Sequence, residues 1–386
     1  MPYKQLVLSL VSMIFLISCD SNETFSLEEK KAVHTLFKTE YLWADQVKQN
    51  IDYEGISTPA ELIDTLRVTP PDKWSFSMTK TEYDDYVNQK TEGFGFGYTQ
   101  DDHTIYLVRI GAPADGKLKR GDRIIAINGM AVSNENIQQA KQNTSTPATF
   151  TIEREGVQQE VRIRPSAYTF KVTQGKILAQ NTQKIGYLRY DSFTSTSVEE
   201  FEQEFTKFKQ ANISDLIIDL RYNGGGSIAV ASTLLDNITN QHAGQRQVYL
   251  DWNANNKDKN TKYSFSDEVE ANDLNMQRVF FLVTKNSASA SELVISALKP
   301  YLGEANVITI GTNTHGKNVG MSGQSYGNDY YFLINFFVKN NANVTTSFEG
   351  IPPTCEANDD ISHDFGDPQE SMLKTALSYI STGVCP

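Results

Sequence analysis

Hydrophobic and polar positions follow three different patterns along the chain. Between residues 27 and 90 the apolar positions recur at the three- and four-residue spacing of helices. From about residue 91 to 165 short apolar runs are separated by glycine turns, which predicts a small β-rich unit. From residue 166 onward apolar strands alternate with helical stretches, and this alternation predicts an α/β core.

The first region predicts helices with identifiable starts. Residues 27–47 predict one helix, and Pro59 opens a second, because proline is favoured in the first helical turn. Residues 72–77 are expected to be a loop that leads into another short helix near Thr81. We therefore expect residues 29–90 to form an N-terminal helical subdomain.

The third region, residues 166–386, is expected to be one α/β domain. A helix is expected to begin at Ser197, where Ser197 and Glu200 have the spacing of a capping box. The predicted elements are a strand at 184–190, a helix at 197–209, a strand at 215–220, a helix after Gly226, a strand at 278–284, a helix at 290–301, strands at 306–310 and 330–338, and a closing helix at 370–381.

The first residues predict an export signal. Lys4 precedes residues 6–17, a run of twelve mostly apolar residues, which is too short to span about 30 Å of hydrocarbon as a helix. Residues 1–18 are therefore interpreted as a signal peptide, and the alternative to lipid attachment at the following cysteine is an ordinary signal peptide cut nearby. The position of Cys19 after Leu-Ile-Ser resembles a bacterial lipobox, which implies lipid attachment at Cys19 and a flexible tether over residues 19–28.

The charge balance excludes one class of partner. The chain of 386 residues has 35 basic and 47 acidic residues, a net charge of −12, and no block of lysines or arginines. Nucleic acid is therefore not expected as a partner, because phosphate binding needs a basic surface.

The expected location is the periplasm or cell envelope of a bacterium, with attachment to the membrane through the lipid.

The cysteines support export. The chain contains three of them, and once Cys19 is assigned to lipid only Cys355 and Cys385 remain. Outside the cytoplasm two cysteines allow one pairing, so we expect a disulfide between them; two free buried thiols are the alternative. No Cys-x-x-Cys or His-x-x-His spacing occurs, and neither a metal nor another cofactor is expected.

Glycine segments organise the β-rich unit at residues 91–165. An early segment consists of Gly93, Phe94, Gly95 and Phe96. Later, a Gly-Asp turn and an Asn-Gly turn at Gly129 flank a strand of isoleucines, and strands at 148–154 and 157–164 complete the unit. The whole pattern resembles a PDZ domain. The resemblance implies that the backbone N–H groups of the Gly-Phe-Gly-Phe segment bind the C-terminal carboxylate of a peptide, while the peptide adds a strand to the sheet edge.

Three glycines follow the predicted strand at 215–220. Consecutive glycines, here Gly224, Gly225 and Gly226, let backbone N–H groups point into a cavity, which suits a phosphate or a developing oxyanion. A tight strand-to-helix turn is the alternative explanation. The loop lacks the Gly-Lys-Ser/Thr of a Walker phosphate loop and the spacing of a dinucleotide-binding fingerprint.

A second loop of small residues follows the next apolar strand. It contains Ser287, Ser289 and Ser291, and small neighbours at a helix N-terminus expose a serine hydroxyl to substrate. The same residues also fit a helix cap assisted by Glu292. Further along the chain, Lys317 follows a glycine after another apolar strand. A serine and a desolvated neutral lysine on neighbouring loops form a catalytic dyad.

These elements, in this order behind a PDZ-like unit, resemble the carboxy-terminal processing proteases, also called tail-specific proteases. The resemblance implies a multidomain α/β protein with a helical N-terminal region, a PDZ domain and a core of the Clp protease/crotonase type. It implies Ser289 as the nucleophile and Lys317 as the general base. It also implies an oxyanion hole made by the N–H of Ala290 with that of Gly225 or Gly226.

Two positions depart from the pattern of this family. Many relatives have a proline where Gly224 stands, and many have a glutamine four residues after the lysine, where this chain has Met321. A thioether is a poor hydrogen-bonding partner, so another residue must orient Lys317, with Gln324 as a candidate, or activity is low.

We therefore expect a membrane-anchored serine endopeptidase that cuts protein or peptide substrates with free C-termini near those termini. One alternative is a peptide-binding lipoprotein with a weak or inactive protease core, which Met321 favours. Others are a Ser-His-Asp arrangement that uses His315 and Asp219, and a crotonase-like acyl-CoA enzyme.

Overall fold

Two β-sheets and a smaller β-rich unit organise the part of the chain that the computed structural model describes, residues 25–386. The predicted signal peptide and Cys19 lie outside these residues. The helices are α1 Leu27–Thr39, α2 Pro59–Leu66, α3 Lys80–Val87, α4 Asn134–Gln142, α5 Ser197–Ala211, α6 Ile228–Ile238, α7 Ala290–Leu302 and α8 Ser371–Thr382, with 3₁₀ turns at Ala44–Gln46, Ala254–Lys259 and Glu304–Asn306. The strands are β1 Phe76–Thr79, β2 Lys90–Gly93, β3 Phe96–Tyr98, β4 Ile105–Val108, β5 Arg123–Ile127, β6 Met130–Ala131, β7 Ala148–Arg154, β8 Val157–Ile163, β9 Ser166–Thr169, β10 Thr173–Gln180, β11 Gln183–Tyr190, β12 Asp215–Asp219, β13 Arg246–Trp252, β14 Thr261–Ser264, β15 Val279–Val283, β16 Val307–Gly311, β17 Val319–Tyr326, β18 Asp329–Asn340 and β19 Cys355–Glu356.

A six-stranded sheet with the order β10-β11-β12-β15-β16-β19 is the centre of the core region, residues 166–386. Its strands pair in parallel except for β10, which is antiparallel to β11. Every residue of β12 and β15 is buried, as expected for parallel strands covered on both faces. Helices α5, α6 and α7 pack on one face and α8 packs on the other. The predicted α/β alternation is confirmed, and the carboxyl ends of β12, β15 and β16 lead into the three loops that the sequence singled out.

A second, antiparallel sheet with the order β1-β18-β13-β14 has β17 paired to β18. Its first strand, Phe76–Thr79, pairs with β18 from Phe332 to Asp329. The loop expected over residues 72–77 is therefore wrong for Phe76 and Ser77, which belong to β1. The strand exists because of a partner about 250 residues away in the chain, which local sequence does not reveal.

The N-terminal helices pack on this second sheet. Helix α2 begins at Pro59 as predicted, behind a capping box formed by Thr58 and Glu61. The helix expected over residues 27–47 ends earlier, at Thr39, and continues as turns. Both helices share one apolar cluster with β17 and β18. The assignment of residues 29–90 to a separate subdomain stays a prediction.

The β-rich unit at residues 91–165 has its own apolar cluster, which includes Ile105, Phe150 and Ile152. Its main sheet has the order β6-β5-β7-β8, β3 and β4 form a separate hairpin, and α4 packs beside β5. The strand expected at 148–154 is confirmed at both ends.

The capping box expected at Ser197 is wrong. Helix α5 does begin at Ser197. However, the Ser197 hydroxyl donates to the Thr194 carbonyl and lies 2.7 Å from the Tyr190 hydroxyl. The Glu200 carboxylate does not accept a hydrogen bond from the backbone at the start of the helix. Its carboxylate accepts from the backbone N–H groups of Val172 and Thr173, so it links α5 to β10.

The two remaining cysteines lie close together at the end of the chain. Cys355 belongs to β19 at the sheet edge and Cys385 follows α8, and their Cα atoms are 5.5 Å apart with the sulfurs at bonding distance. Among residues 25–386 no helix has the length and apolar character needed to cross a membrane.

Candidate active site

Ser289 occupies a strained turn between β15 and α7. Its φ of 57° and ψ of −112° lie outside the usual regions for a residue with a side chain. Two hydrogen bonds fix the turn: the Ala288 N–H donates to the Asn223 carbonyl at 3.1 Å, and the Ser289 N–H donates to Glu292 Oε2 at 2.9 Å. A serine held in this way projects from the end of the sheet, as nucleophiles do in strand-turn-helix sites.

The neighbouring serines have structural roles. Ser287 and Ser291 are fully buried. The Ser287 hydroxyl donates to the Leu220 carbonyl at 2.7 Å, and the Ser291 hydroxyl donates to the Asn223 carbonyl at 2.9 Å. Both therefore attach the turn to the segment between β12 and the glycine loop. Ser289 is partly exposed and is the only one of the three that lines the adjacent cavity.

Lys317 lines the same cavity from the loop after β16. Burial lowers the pKa of Lys317 to about 8, while the negative charges of Asp72 and Glu292 act in the opposite direction. Its Nζ lies 3.8 Å from Met321 Sδ. Gln324, the suggested orienting residue, is exposed further along β17. A partly desolvated amine next to a thioether is poised to lose its proton near neutral pH.

Glu292 connects the serine turn to the lysine loop. Its side chain is buried, and its two oxygens accept four hydrogen bonds. Oε2 accepts the N–H of Ser289 and that of Lys317, each at 2.9 Å. Oε1 accepts the Thr314 hydroxyl at 2.5 Å and the Gly316 N–H at 2.8 Å. One carboxylate thus fixes the relative position of the two loops that carry the candidate dyad, a role beyond the helix cap that the sequence suggested.

The glycine loop lies directly against the serine turn. A Cβ atom on Gly225 would be 2.8 Å from the Ser289 Cβ and 3.0 Å from the Ala290 nitrogen. The Gly225 N–H donates to Asn223 Oδ1 at 2.8 Å. Within residues 25–386 the N–H groups of Ala290 and Gly226 have no hydrogen-bond partner. Of the two glycines considered for an oxyanion hole, Gly226 is therefore the one with a free donor.

Asp219 and His315 are held apart by different partners. Asp219 accepts from the Tyr187 hydroxyl at 2.7 Å and pairs with the buried Arg221. His315 is exposed, with Nε2 3.1 Å from the Trp74 indole nitrogen and Nδ1 3.1 Å from the Lys285 carbonyl. The structure brings neither into contact with Ser289, which disfavours the Ser-His-Asp alternative.

Sequence inspection missed Asp72 as part of this region. The residue is fully buried and its negative charge acts on Lys317. Its carboxylate accepts the Tyr41 hydroxyl at 2.8 Å and the Ser75 hydroxyl at 2.6 Å. The only signal in the sequence was a lone aspartate in a polar stretch, which is common in loops.

The small cavity beside Ser289 has a volume of about 20 Å³. Ser289, Ala290 and Lys317 are among its lining residues, and α7 forms one wall. Five of its other lining side chains are apolar, Ile228, Val248, Leu293, Val319 and Val338, and five are polar, Glu292, Ser296, Asn318, Asn340 and Thr346. A space of this size next to a nucleophile suits one small side chain of a substrate.

The Gly-Phe-Gly-Phe segment lies between β2 and β3. The carbonyls of Phe94 and Gly95 accept hydrogen bonds from Ala114 and Arg109. Strand β3 pairs with β4 on one side only. The Lys141 side chain of α4 lies against Gly93, where an added Cβ would be 2.6 Å from the Lys141 Cε.

Comparison with known proteins finds that this chain is similar to peptidases. Residues 184–357 match the model of peptidase family S41. The chain is 24% identical over 284 residues to the carboxy-terminal processing protease CtpB of Bacillus subtilis, covering 70% of this chain and 57% of that one. It is 27% identical over 240 residues to the carboxy-terminal-processing protease of Bartonella bacilliformis, covering 58% and 51%. The chain thus spans about half the length of these curated relatives.

Among solved structures, a Bacteroides fragilis protein assigned to the S41 proteases has a TM-score of 0.76 at 23% identity, with 91% of this chain and 97% of that one covered. The mixed α/β fold is therefore similar to that of S41 proteases. The homologues of this chain are peptidases of family S41, with carboxy-terminal processing proteases among them.

Proposed function

We propose that this protein is a serine endopeptidase with Ser289 as nucleophile and Lys317 as general base. The observation that carries the proposal is the cavity at the ends of β15 and β16. There a strained serine and a lysine with a pKa of about 8 line one cavity, and Glu292 accepts the backbone N–H of each. The S41 homologues support the same chemistry.

The reaction follows from these groups. Neutral Lys317 takes the hydroxyl proton as the Ser289 oxygen bonds to the carbonyl carbon of the substrate. The protonated lysine then gives this proton to the amine as the C–N bond breaks, which leaves an ester on Ser289. Water hydrolyses the ester, with Lys317 again accepting and returning one proton. No metal or other cofactor takes part in the proposed sequence.

The developing oxyanion is assigned to the free N–H groups of Ala290 and Gly226. Ala290 is the first residue of α7, so the helix dipole favours negative charge at this point. Removing one such donor in known hydrolases costs about 3–4 kcal/mol of transition-state stabilisation. The contact between Gly225 and Ser289 keeps the glycine loop close enough to act on the same carbonyl oxygen.

We assign tail binding to residues 91–165 acting as a PDZ domain. Three features support this assignment: the unpaired edge of β3, the glycine segment before it, and the positive charge of Lys141 beside Gly93. A peptide adding a strand to β3 would bring its carboxylate to this segment. The relatives' names support substrates with free C-termini.

A polar link joins this unit to the glycine loop. Arg120 donates to the Tyr222 hydroxyl at 3.0 Å, and both residues bond to Asp359. Arg221 also pairs with Asp359. Since Tyr222 and Arg221 precede the glycine loop directly, a shift of the unit on tail binding is expected to reach that loop. Deletion of residues 91–165 should then remove any preference for tailed over untailed substrates, and equal cleavage of both by the intact protein would contradict tail binding.

Export and membrane anchoring through Cys19 belong to the same proposal. Anchoring rests on the lipobox-like sequence, and export rests on the N-terminal apolar run and the cysteine pair. Labelling of cells with a radioactive fatty acid is expected to mark the intact protein and not a Cys19→Ala variant; equal labelling of both would refute the assignment.

A direct test of the enzyme assignment uses a serine-reactive fluorophosphonate. At pH 9, where Lys317 is largely neutral, we expect one covalent adduct by intact-protein mass spectrometry and none on Ser289→Ala. Labelling that persists in this variant would refute the assignment of the nucleophile. A peptide-binding protein with a silent core is the second candidate, favoured by Met321 beside Lys317. It would bind apolar C-terminal tails but show neither the adduct nor cleavage.

A further inference from the structure

One buried polar atom without a hydrogen-bond partner belongs to a residue that lines the cavity beside Ser289. Asn318 is 6% exposed and lines the cavity, and its Oδ1 accepts no hydrogen bond. Five other buried side-chain atoms in residues 25–386 also lack partners, but none belongs to a residue that lines this cavity. A buried carbonyl left without a donor costs free energy, so a site that keeps one is poised to gain from a donor.

The orientation of this amide is fixed by the chain. Asn318 Nδ2 donates to the Thr346 carbonyl at 2.5 Å. Rotating the amide by 180° would place Oδ1 against that carbonyl, and two acceptors would repel each other. The oxygen, not the nitrogen, is therefore the free group.

Two other buried polar side chains of the cavity, Asn340 and Glu292, are already paired. The Asn340 amide donates to the Ser296 carbonyl and hydroxyl oxygens, and its own oxygen accepts the N–H groups of Ala342 and Val344. The oxygens of Glu292 are also fully engaged. The buried acceptor that still lacks a donor in this lining is therefore Asn318 Oδ1.

From this arrangement we infer that the cavity selects a small side chain with a hydroxyl group, serine in particular, at the residue whose carbonyl Ser289 attacks. This inference rests on the proposed protease function. In the proposed reaction the substrate carbonyl oxygen binds the Ala290 N–H, and the helix that begins at Ala290 also forms a wall of the cavity. The side chain on the acyl side of the scissile bond is therefore the one placed to enter. A volume of about 20 Å³ admits a group of about one heavy atom beyond Cβ.

The test compares peptides that differ only at this residue, using the purified chain. Serine, 2-aminobutyric acid and alanine form the series, since 2-aminobutyric acid replaces the hydroxyl of serine with a methyl group of similar size. We expect kcat/KM for the serine peptide to exceed that for the 2-aminobutyric acid peptide about five- to tenfold. A fourth peptide with leucine should be cut least, because its side chain exceeds the cavity.

Substitution of the acceptor gives a second readout. In Asn318→Leu the preference for serine over 2-aminobutyric acid should fall to about onefold or reverse. The matched control is Asn306→Leu, an exposed asparagine whose amide donates to the Leu302 carbonyl, and it should keep the wild-type ratio. If Asn318→Leu does not fold, the wild-type series still decides.

Each outcome has a clear meaning. Equal or better cleavage of the 2-aminobutyric acid peptide by the wild-type chain overturns the inference and leaves the protease function intact. A preference that follows the residue after the scissile bond also overturns it. Cleavage of no peptide in the series, with an unfolded protein substrate also left intact, removes the proposed function and this inference with it.

Discussion

The strongest prediction concerns Glu292, whose carboxylate holds the serine turn and the lysine loop together. Substitution by glutamine preserves size but leaves one accepting oxygen where the carboxylate has two. The Thr314 hydroxyl can reverse and accept from the new amide, whereas the Gly316 N–H cannot, and it would lose its acceptor. Adding one unpaired buried donor to the loss of charge-assisted hydrogen bonds gives an expected destabilisation of about 2–4 kcal/mol.

The effect on catalysis should be larger than the effect on substrate binding. The variant loosens the lysine loop relative to the serine turn, and a misplacement of about 1 Å can cost about 100-fold in rate. We therefore expect Glu292→Gln to lower kcat about 100-fold or more with little change in the affinity for a C-terminal tail. Peptide cleavage measures kcat, fluorescence anisotropy measures tail binding, and urea unfolding gives the free energy of unfolding.

A matched control is available in the 3₁₀ turn that follows the same helix. Glu304 is 77% exposed at its side chain and pairs with Lys299 on the surface. Glu304→Gln should change the free energy of unfolding by less than about 0.5 kcal/mol and leave kcat unchanged. Wild-type kcat and stability in Glu292→Gln would refute the role assigned to this carboxylate.

Three further predictions follow from other contacts. Since burial lowers the pKa of Lys317 to about 8 and the neutral amine is the base, kcat/KM should rise about tenfold per pH unit below 8 and level off above it; a flat profile from pH 6 to 9 would contradict this. Gly225→Ala should abolish cleavage, since its Cβ would press on the serine turn at a φ of 103°, whereas Gly224→Ala, with open space around it, should remain active. Replacing Cys355 and Cys385 by alanine should lower the free energy of unfolding by about 3–4 kcal/mol, and an unchanged urea midpoint would argue against a bond between them.

Much of the core could be predicted because its elements have strong local signals. Strand β15 is a run of apolar residues that ends at polar Thr284, and α7 begins where the small residues end. The glycine loop was visible for the same reason, since three consecutive glycines follow the apolar strand β12 and allow a backbone conformation that other residues rarely adopt. These local signals in the sequence are enough to predict that the candidate serine, lysine and glycines lie on neighbouring loops.

Features that depend on distant partners could not be predicted. Strand β1 forms only because β18 supplies its hydrogen bonds. The four donors around Glu292 come from two loops, and the spacing of serine and glutamate showed only a helix cap. The occupied N–H of Gly225 likewise depends on the side-chain rotamer of Asn223. Long-range hydrogen bonds of this kind leave little trace in the local pattern.

The central claim is that Ser289 and Lys317 form a working dyad despite Met321. The most direct measurement incubates an unfolded protein with an apolar C-terminal tail with the wild-type chain, Ser289→Ala and Lys317→Ala, and follows cleavage by mass spectrometry. We predict cleavage by the wild-type chain alone, with both variants folded and still able to bind the tail. Cleavage by either variant at the wild-type rate would contradict the account.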